Sequence, residues 1–155
     1  MPSLLFICTA NRIRSPLAAA LLRRELDAAG CGHEWTIDSA GTWVESGRPA
    51  VSVALEVAAR LGLDLAAHRA RGVDEVDLSR FDLILTMERS HRDALRAEYP
   101  ACRGRIVTLA EMATGYAFDI DDPPGHTLES VMRVARELQR LVGLAAVRIQ
   151  ENERS

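Results

Sequence analysis

The residues with the clearest chemical content lie together near the start of the chain, in the run Cys8-Thr9-Ala10-Asn11-Arg12-Ile13-Arg14-Ser15-Pro16. A short loop wound around a helix N-terminus turns successive backbone N–H groups inward and makes a nest for an anion. Thr9, Ala10, Asn11, Arg12, Ile13 and Ser15 would line such a nest and contact the bound group. The helix dipole and Arg14 would together stabilise a thiolate at Cys8. The Arg14 guanidinium can hold two phosphoryl oxygens with its planar fork, a geometry lysine cannot copy. A thiolate beneath a bound phosphoryl group is an in-line nucleophile. Asn11 tolerates the left-handed backbone angles of a tight nest, and the Ser15 hydroxyl can hydrogen-bond the sulfur.

Spacing alone is a weak signal here. Arginine fills 19 of 155 positions, so any one cysteine has about a one-in-eight chance of an arginine six places on. A buried apolar cysteine is the bland alternative. The neighbouring elements tip the balance.

Ser3–Cys8 is a short apolar run suited to a strand buried on both faces. The pattern from Pro16 to Ala29 is helical, opening on proline and stopping at Gly30. Further strands are expected at Trp35–Ala40, Phe81–Met87 and Arg105–Leu109. Helices are expected at Ala50–Leu61, Ser90–Glu98 and Leu128–Ile149, with loops at Gly41–Pro49 and Asp119–Gly125. Strands alternating with helices predict one α/β domain over residues 1–155, doubly wound in three layers, with a mostly parallel sheet and helices on both faces. Ligands in such folds sit beyond the carboxyl ends of the strands, where Cys8 falls.

Composition excludes several function classes. Hydrophobic residues make up 48% and charged residues 26%, which is globular and neither disordered nor filamentous. No apolar run approaches the roughly 20 residues of a membrane span, so no membrane partner is expected. Met1-Pro2-Ser3 lacks a basic run, so no secretory signal is expected. A net charge of −3 gives no overall field for nucleic acid. All the basic residues are arginine, a compositional bias more than a mechanism. Cys8, Cys31 and Cys102 are too few and too dispersed for a disulfide framework or a zinc ribbon, and Cys31-Gly-His33 has no companion pair. The expectation is a reducing, cytoplasmic setting with neither metal nor cofactor.

Taken together, these motifs resemble the low-molecular-weight protein tyrosine phosphatases, whose N-terminal signature is close to Cys-x-Gly-Asn-x-Cys-Arg-Ser-Pro. The resemblance covers nearly the whole chain. It rests also on Ser39-Ala40-Gly41-Thr42, on Gly62-Leu63-Asp64-Leu65 followed by His68-Arg69-Ala70-Arg71, on Met87, and on Asp119-Ile120-Asp121-Asp122-Pro123-Pro124-Gly125. It implies a four-stranded parallel sheet and hydrolysis of phosphotyrosine in proteins through a cysteinyl-phosphate, with inorganic phosphate or a similar oxyanion able to occupy the loop. Carried over by position, Cys8 is the nucleophile, Arg14 binds phosphate and stabilises the transition state, and Asp122 is the general acid. Ser15 activates the thiolate, while Asn11, Ser39 and His68 support the loop. Asp119 and Asp121 compete with Asp122 for the acid role, which adjacency to Pro123 assigns to Asp122.

The departures bear on function. Ala10 stands in place of the usual glycine and would bring a methyl to a crowded point of the nest. Ile13 replaces the second cysteine that protects the nucleophile in many members. Pro124 stands where an aromatic residue usually flanks the substrate ring, and Trp43 is either a wall of the cleft or ordinary surface packing. Phosphoarginine is the alternative substrate on the same scaffold, which Thr9 fits without favouring it. Arsenate reduction is a weaker alternative because it relays a disulfide through a close cysteine pair. A phosphate-binding module without catalysis is disfavoured by the joint presence of Cys8, Arg14 and Asp122.

Overall fold

Four strands, β1 (Ser3–Cys8), β2 (Thr36–Gly41), β3 (Leu83–Thr86) and β4 (Ile106–Thr108), form the centre of the computed structural model, which describes residues 1–154. All pairings are parallel, in the order β2-β1-β3-β4. The first strand is central, and the chain goes to one side of it for β2 and to the other for β3. The crevice at the carboxyl end of β1 is therefore a topological switch point. Register places Cys8 beside Gly41 and Ile7 beside Thr86.

Side chains alternate between two cores because successive strand residues point to opposite faces. Leu4, Phe6 and Cys8 join the larger core, and Leu5 and Ile7 join the smaller one. The larger core is closed by α1 (Arg14–Ala28), α2 (Ser52–Arg60), α4 (Leu109–Thr114) and α5 (Leu128–Arg154). On the other face α3 (Arg89–Glu98) contributes Leu95, beside Phe81, Cys102 and Ile106. This is the expected three-layer doubly wound architecture.

The element boundaries depart from expectation in ways with local causes. Helix α1 begins at Arg14, two residues before the expected proline, so Pro16 sits inside the first turn, where its missing N–H costs nothing. Strand β4 is only three residues long, because Thr108 stops it and caps an unexpected helix, α4. The Thr108 hydroxyl accepts from Glu111 N at 3.0 Å, and the Glu111 carboxylate accepts from Thr108 N at 3.1 Å. That reciprocal pair is a capping box, and Gly115 ends the helix in the left-handed region at φ 85°. The final helix runs to Arg154, five residues past its expected end at Ile149. No described helix is long and apolar enough to cross a membrane.

Candidate active site

The loop leaving β1 closes over the sulfur of Cys8. Cys8 is buried, and its sulfur accepts from Asn11 N at 3.3 Å and lies 2.9 Å from Ser15 Oγ. Asn11 makes this geometry possible. It is fully buried at φ 57°, the left-handed conformation that asparagine tolerates better than most residues. Its side-chain amide donates to Ser15 Oγ at 2.8 Å and to Ser39 Oγ at 2.9 Å, and its Oδ1 accepts from Arg71 N at 3.0 Å. Because Ser15 Oγ already accepts from Asn11, its own proton is free to point at the Cys8 sulfur. His68 Nε2 donates to the Asn11 carbonyl at 2.7 Å. Asn11, Ser15, Ser39 and His68 thus meet in one network around the loop.

Arg14 is buried at the mouth of α1 with its fork already oriented. Its Nη1 donates to Glu88 Oε2 at 2.6 Å and to the Ile120 carbonyl at 2.7 Å. The Nε and Nη2 edge remains, with Nη2 3.4 Å from Thr9 Oγ1 and Nε 3.8 Å from Asp122 Oδ1. Arg14 lines a cavity of about 230 Å³ together with Cys8, Thr9, Ala10, Arg12, Ile13, Val51, Glu88, Asp122 and His126. The Asp-rich loop reaches this cavity because Ile120 N donates to the Met87 carbonyl at 2.9 Å, at the end of β3.

The three neighbouring carboxylates are sorted by their partners. Asp119 is bound by Arg89 through the backbone N at 2.8 Å and the guanidinium Nε at 3.1 Å, and these hydrogen bonds hold its carboxyl below the usual range. Asp121 and Asp122 are both exposed and both line an adjoining groove, but only Asp122 also lines the cavity that holds Cys8. Oxygens of Glu88, Asp119 and Asp121 come within 4.8 Å of one another. Arg14 and Arg89 already neutralise two of them, which leaves a poor cation cage.

One expectation, for Ala10, is corrected. Ala10 is exposed with no left-handed φ, so its methyl meets solvent instead of crowding the nest. Pro124 is exposed and lines the neighbouring groove, outside the cavity that holds Cys8. Trp43 is 85% exposed beside Ala10 and Arg12, in a second groove next to the cavity. Cys31 Sγ lies against the Leu26 carbonyl, and Cys102 packs in the core across the sheet. All three cysteines are free, and neither of these two shares the cavity of Cys8.

Other residues contribute to the site. Gly41, beside Cys8 in the sheet, lies so close to the loop that a Cβ there would come 2.4 Å from the Thr9 carbonyl. Alanine could not stand there without displacing the loop. Buried His91 accepts from Glu88 N on Nδ1 at 3.2 Å, so its Nε2 carries the proton and donates to Thr9 Oγ1 at 2.9 Å. His126 Nε2 lies 3.0 Å from Asp122 Oδ2.

Burial holds both His68 and His91 below the ordinary value of 6.5. For His68 the hydrogen bond to Asn11 opposes this, and for His91 the nearby Glu88 does. Between the lowered native values and 6.5 the unfolded chain binds more protons, so stability falls as pH drops through that window. The melting temperature is therefore expected to decline from about pH 7 to 5, with a shallower decline in His68→Asn. Equal slopes for the two proteins would refute the assignment to His68.

The family model described as low molecular weight phosphotyrosine protein phosphatase matches residues 3–155. A relative in Ralstonia nicotianae named probable low molecular weight protein-tyrosine-phosphatase EpsP is 35% identical over 147 residues, 95% of each chain. A protein-arginine-phosphatase of Geobacillus stearothermophilus is 32% identical over 152 residues, 97% of each chain. Among solved structures, a YwlE arginine phosphatase mutant with a phosphorylated active-site serine superposes with a TM-score of 0.91. It is 26% identical, and the match covers 98% of both chains.

Proposed function

The chain belongs to the low molecular weight phosphotyrosine protein phosphatase family, and from that premise we propose that it hydrolyses phosphotyrosine in proteins by way of a phosphorylated Cys8. The observation that carries this reading is the shared cavity, whose lining brings Cys8, Arg14 and Asp122 together, with Arg14 Nε 3.8 Å from Asp122 Oδ1. Loop amides and the Nε and Nη2 edge of Arg14 hold three phosphoryl oxygens, leaving the fourth, ester oxygen pointing outward. The Cys8 thiolate forms the S–P bond as the P–O bond to tyrosine breaks, and Asp122 transfers its proton to the departing oxygen. Asp122 then takes a proton from water as that water attacks phosphorus, and phosphate leaves with the thiolate restored.

Phosphoarginine is the second reading, favoured by the likeness to enzymes named arginine phosphatases. Arg12 weighs against it. Its Nε donates to the Pro49 carbonyl at 2.8 Å, which holds the guanidinium at the cavity wall. A cation there stacks favourably on an aryl ring and repels the guanidinium of phosphoarginine. Phosphotyrosine and phosphoarginine versions of one peptide, assayed side by side, should differ in kcat/KM by at least about tenfold in favour of tyrosine. Faster turnover of the phosphoarginine peptide would overturn the substrate assignment.

A further inference from the structure

We infer that His126 is a positioning residue for the proton donor, selecting which oxygen of Asp122 carries the proton. The inference rests on the reading of Asp122 as general acid and deepens it. His126 lines the same cavity as Cys8 and Asp122, and its Nε2 lies 3.0 Å from Asp122 Oδ2. The ionised carboxylate has no proton to give, so the imidazole N–H is the donor in this contact. Asp122 Oδ1 is the oxygen turned toward Arg14 Nε, 3.8 Å away. When Asp122 is protonated, an N–H donor held on Oδ2 makes that oxygen the carbonyl-type acceptor. The acidic proton is then left on Oδ1, the oxygen on the Arg14 side, where the phosphoryl ester would bind.

The backbone builds this contact deliberately. Pro123 and Pro124 fix their own φ angles, and Gly125 and His126 follow with φ 67° and 48°. Two consecutive left-handed residues reverse the chain, which brings the imidazole back to the carboxylate four residues earlier. A non-glycine residue in that conformation is uncommon and concentrates at functional sites. The far side is anchored, since Thr127 and Ser130 cap the start of α5 with reciprocal hydrogen bonds of 3.1 Å. An exposed His–Asp pair on a floppy loop would spend most of its time apart. Here the turn presets it.

The test compares two leaving groups. His126→Gly relieves the left-handed backbone and removes the ring, so a role in folding alone would be satisfied or improved. It is expected to slow phenyl phosphate turnover about tenfold, the equivalent of one hydrogen bond lost in the transition state. Dinitrophenyl phosphate, whose leaving group needs no proton, should be hydrolysed within about twofold of the parent rate, with inhibition by inorganic phosphate equally unchanged. His126→Gln, which returns an N–H at similar reach, should recover most of the loss. The double variant with Asp122→Asn should be no slower on phenyl phosphate than Asp122→Asn alone. Parent-like turnover of phenyl phosphate by His126→Gly, equal slowing of both substrates, or additive losses would each overturn the inference. An Asp122→Asn variant indifferent to the leaving group would instead overturn the general-acid reading beneath it, and the role of His126 with it.

Discussion

Cys8→Ser should lose turnover of a phosphotyrosine peptide by at least about 10⁴-fold, as removal of an enzyme nucleophile commonly does, while still binding inorganic phosphate. Serine keeps the shape of the loop, because Asn11 N and Ser15 Oγ can hydrogen-bond an oxygen where they now meet sulfur. It lacks the thiolate, and a hydroxyl without a base beside it is a poor nucleophile. Arg14→Lys should be nearly as damaging, at about 10²–10³-fold, for a reason visible in the fork. Nη1 is already committed to Glu88 and to the Ile120 carbonyl, so the phosphoryl group is met by the Nε and Nη2 edge. A lysine ammonium drawn to Glu88 offers no second parallel donor. Steady-state kinetics and phosphate inhibition read both effects. Appreciable turnover by Cys8→Ser would sink the covalent mechanism, and near-normal kinetics for Arg14→Lys would reduce that residue to a helix-end cation.

The loop from Cys8 to Ser15 was legible in the sequence because its parts are close neighbours along the chain. Cys8, Asn11, Arg14 and Ser15 lie within eight residues, between a strand and a helix whose patterns are strong. Ser39, His68 and Asp122 entered only through family resemblance, since nothing in their local spacing ties them to Cys8. Gly41 entered only inside a motif of that resemblance, and Glu88 and His91 not at all, for the same physical reason. They reach the site because β3 and β2 flank β1, and strand order is a tertiary property that periodicity does not encode. Arg71 is another such case, its backbone N–H joined to Asn11 across sixty positions. The missed helix α4 is different, because its signal was present: Thr108 and Glu111 have the spacing of a capping box. A run of alternating apolar character drew the strand one residue too far. Ala10 was misjudged because glycine in a family motif was equated with crowding, whereas the left-handed residue of this loop is Asn11.

Asp122→Asn should slow hydrolysis of phenyl phosphate by roughly 10²–10⁴, the usual range for loss of a positioned general acid. Phenolate is a poor leaving group near neutral pH, with a reference pKa of about 10, so its departure gains from a proton delivered in the transition state. Among the three aspartates of the loop, Asp122 alone lines the cavity of Cys8. Asp119 is engaged by Arg89, whose hydrogen bonds stabilise its charged form and make it a reluctant donor. Asp121 does not line the cavity of Cys8, so Asp121→Asn should leave both substrates within about twofold of the parent rates. The loss in Asp122→Asn should shrink as the leaving group becomes more acidic, because an anion that is stable alone does not need the proton. Asparagine also preserves the acceptor that His126 Nε2 meets on Oδ2, so the loop should keep its shape and inorganic phosphate its affinity. A rate loss of the same size for every leaving group would mean that Asp122 binds or positions substrate and donates no proton. A leaving-group-dependent loss in Asp121→Asn, with Asp122→Asn unaffected, would move the acid one residue along the loop and remove the mechanism's claim on the pair formed by Asp122 and Arg14.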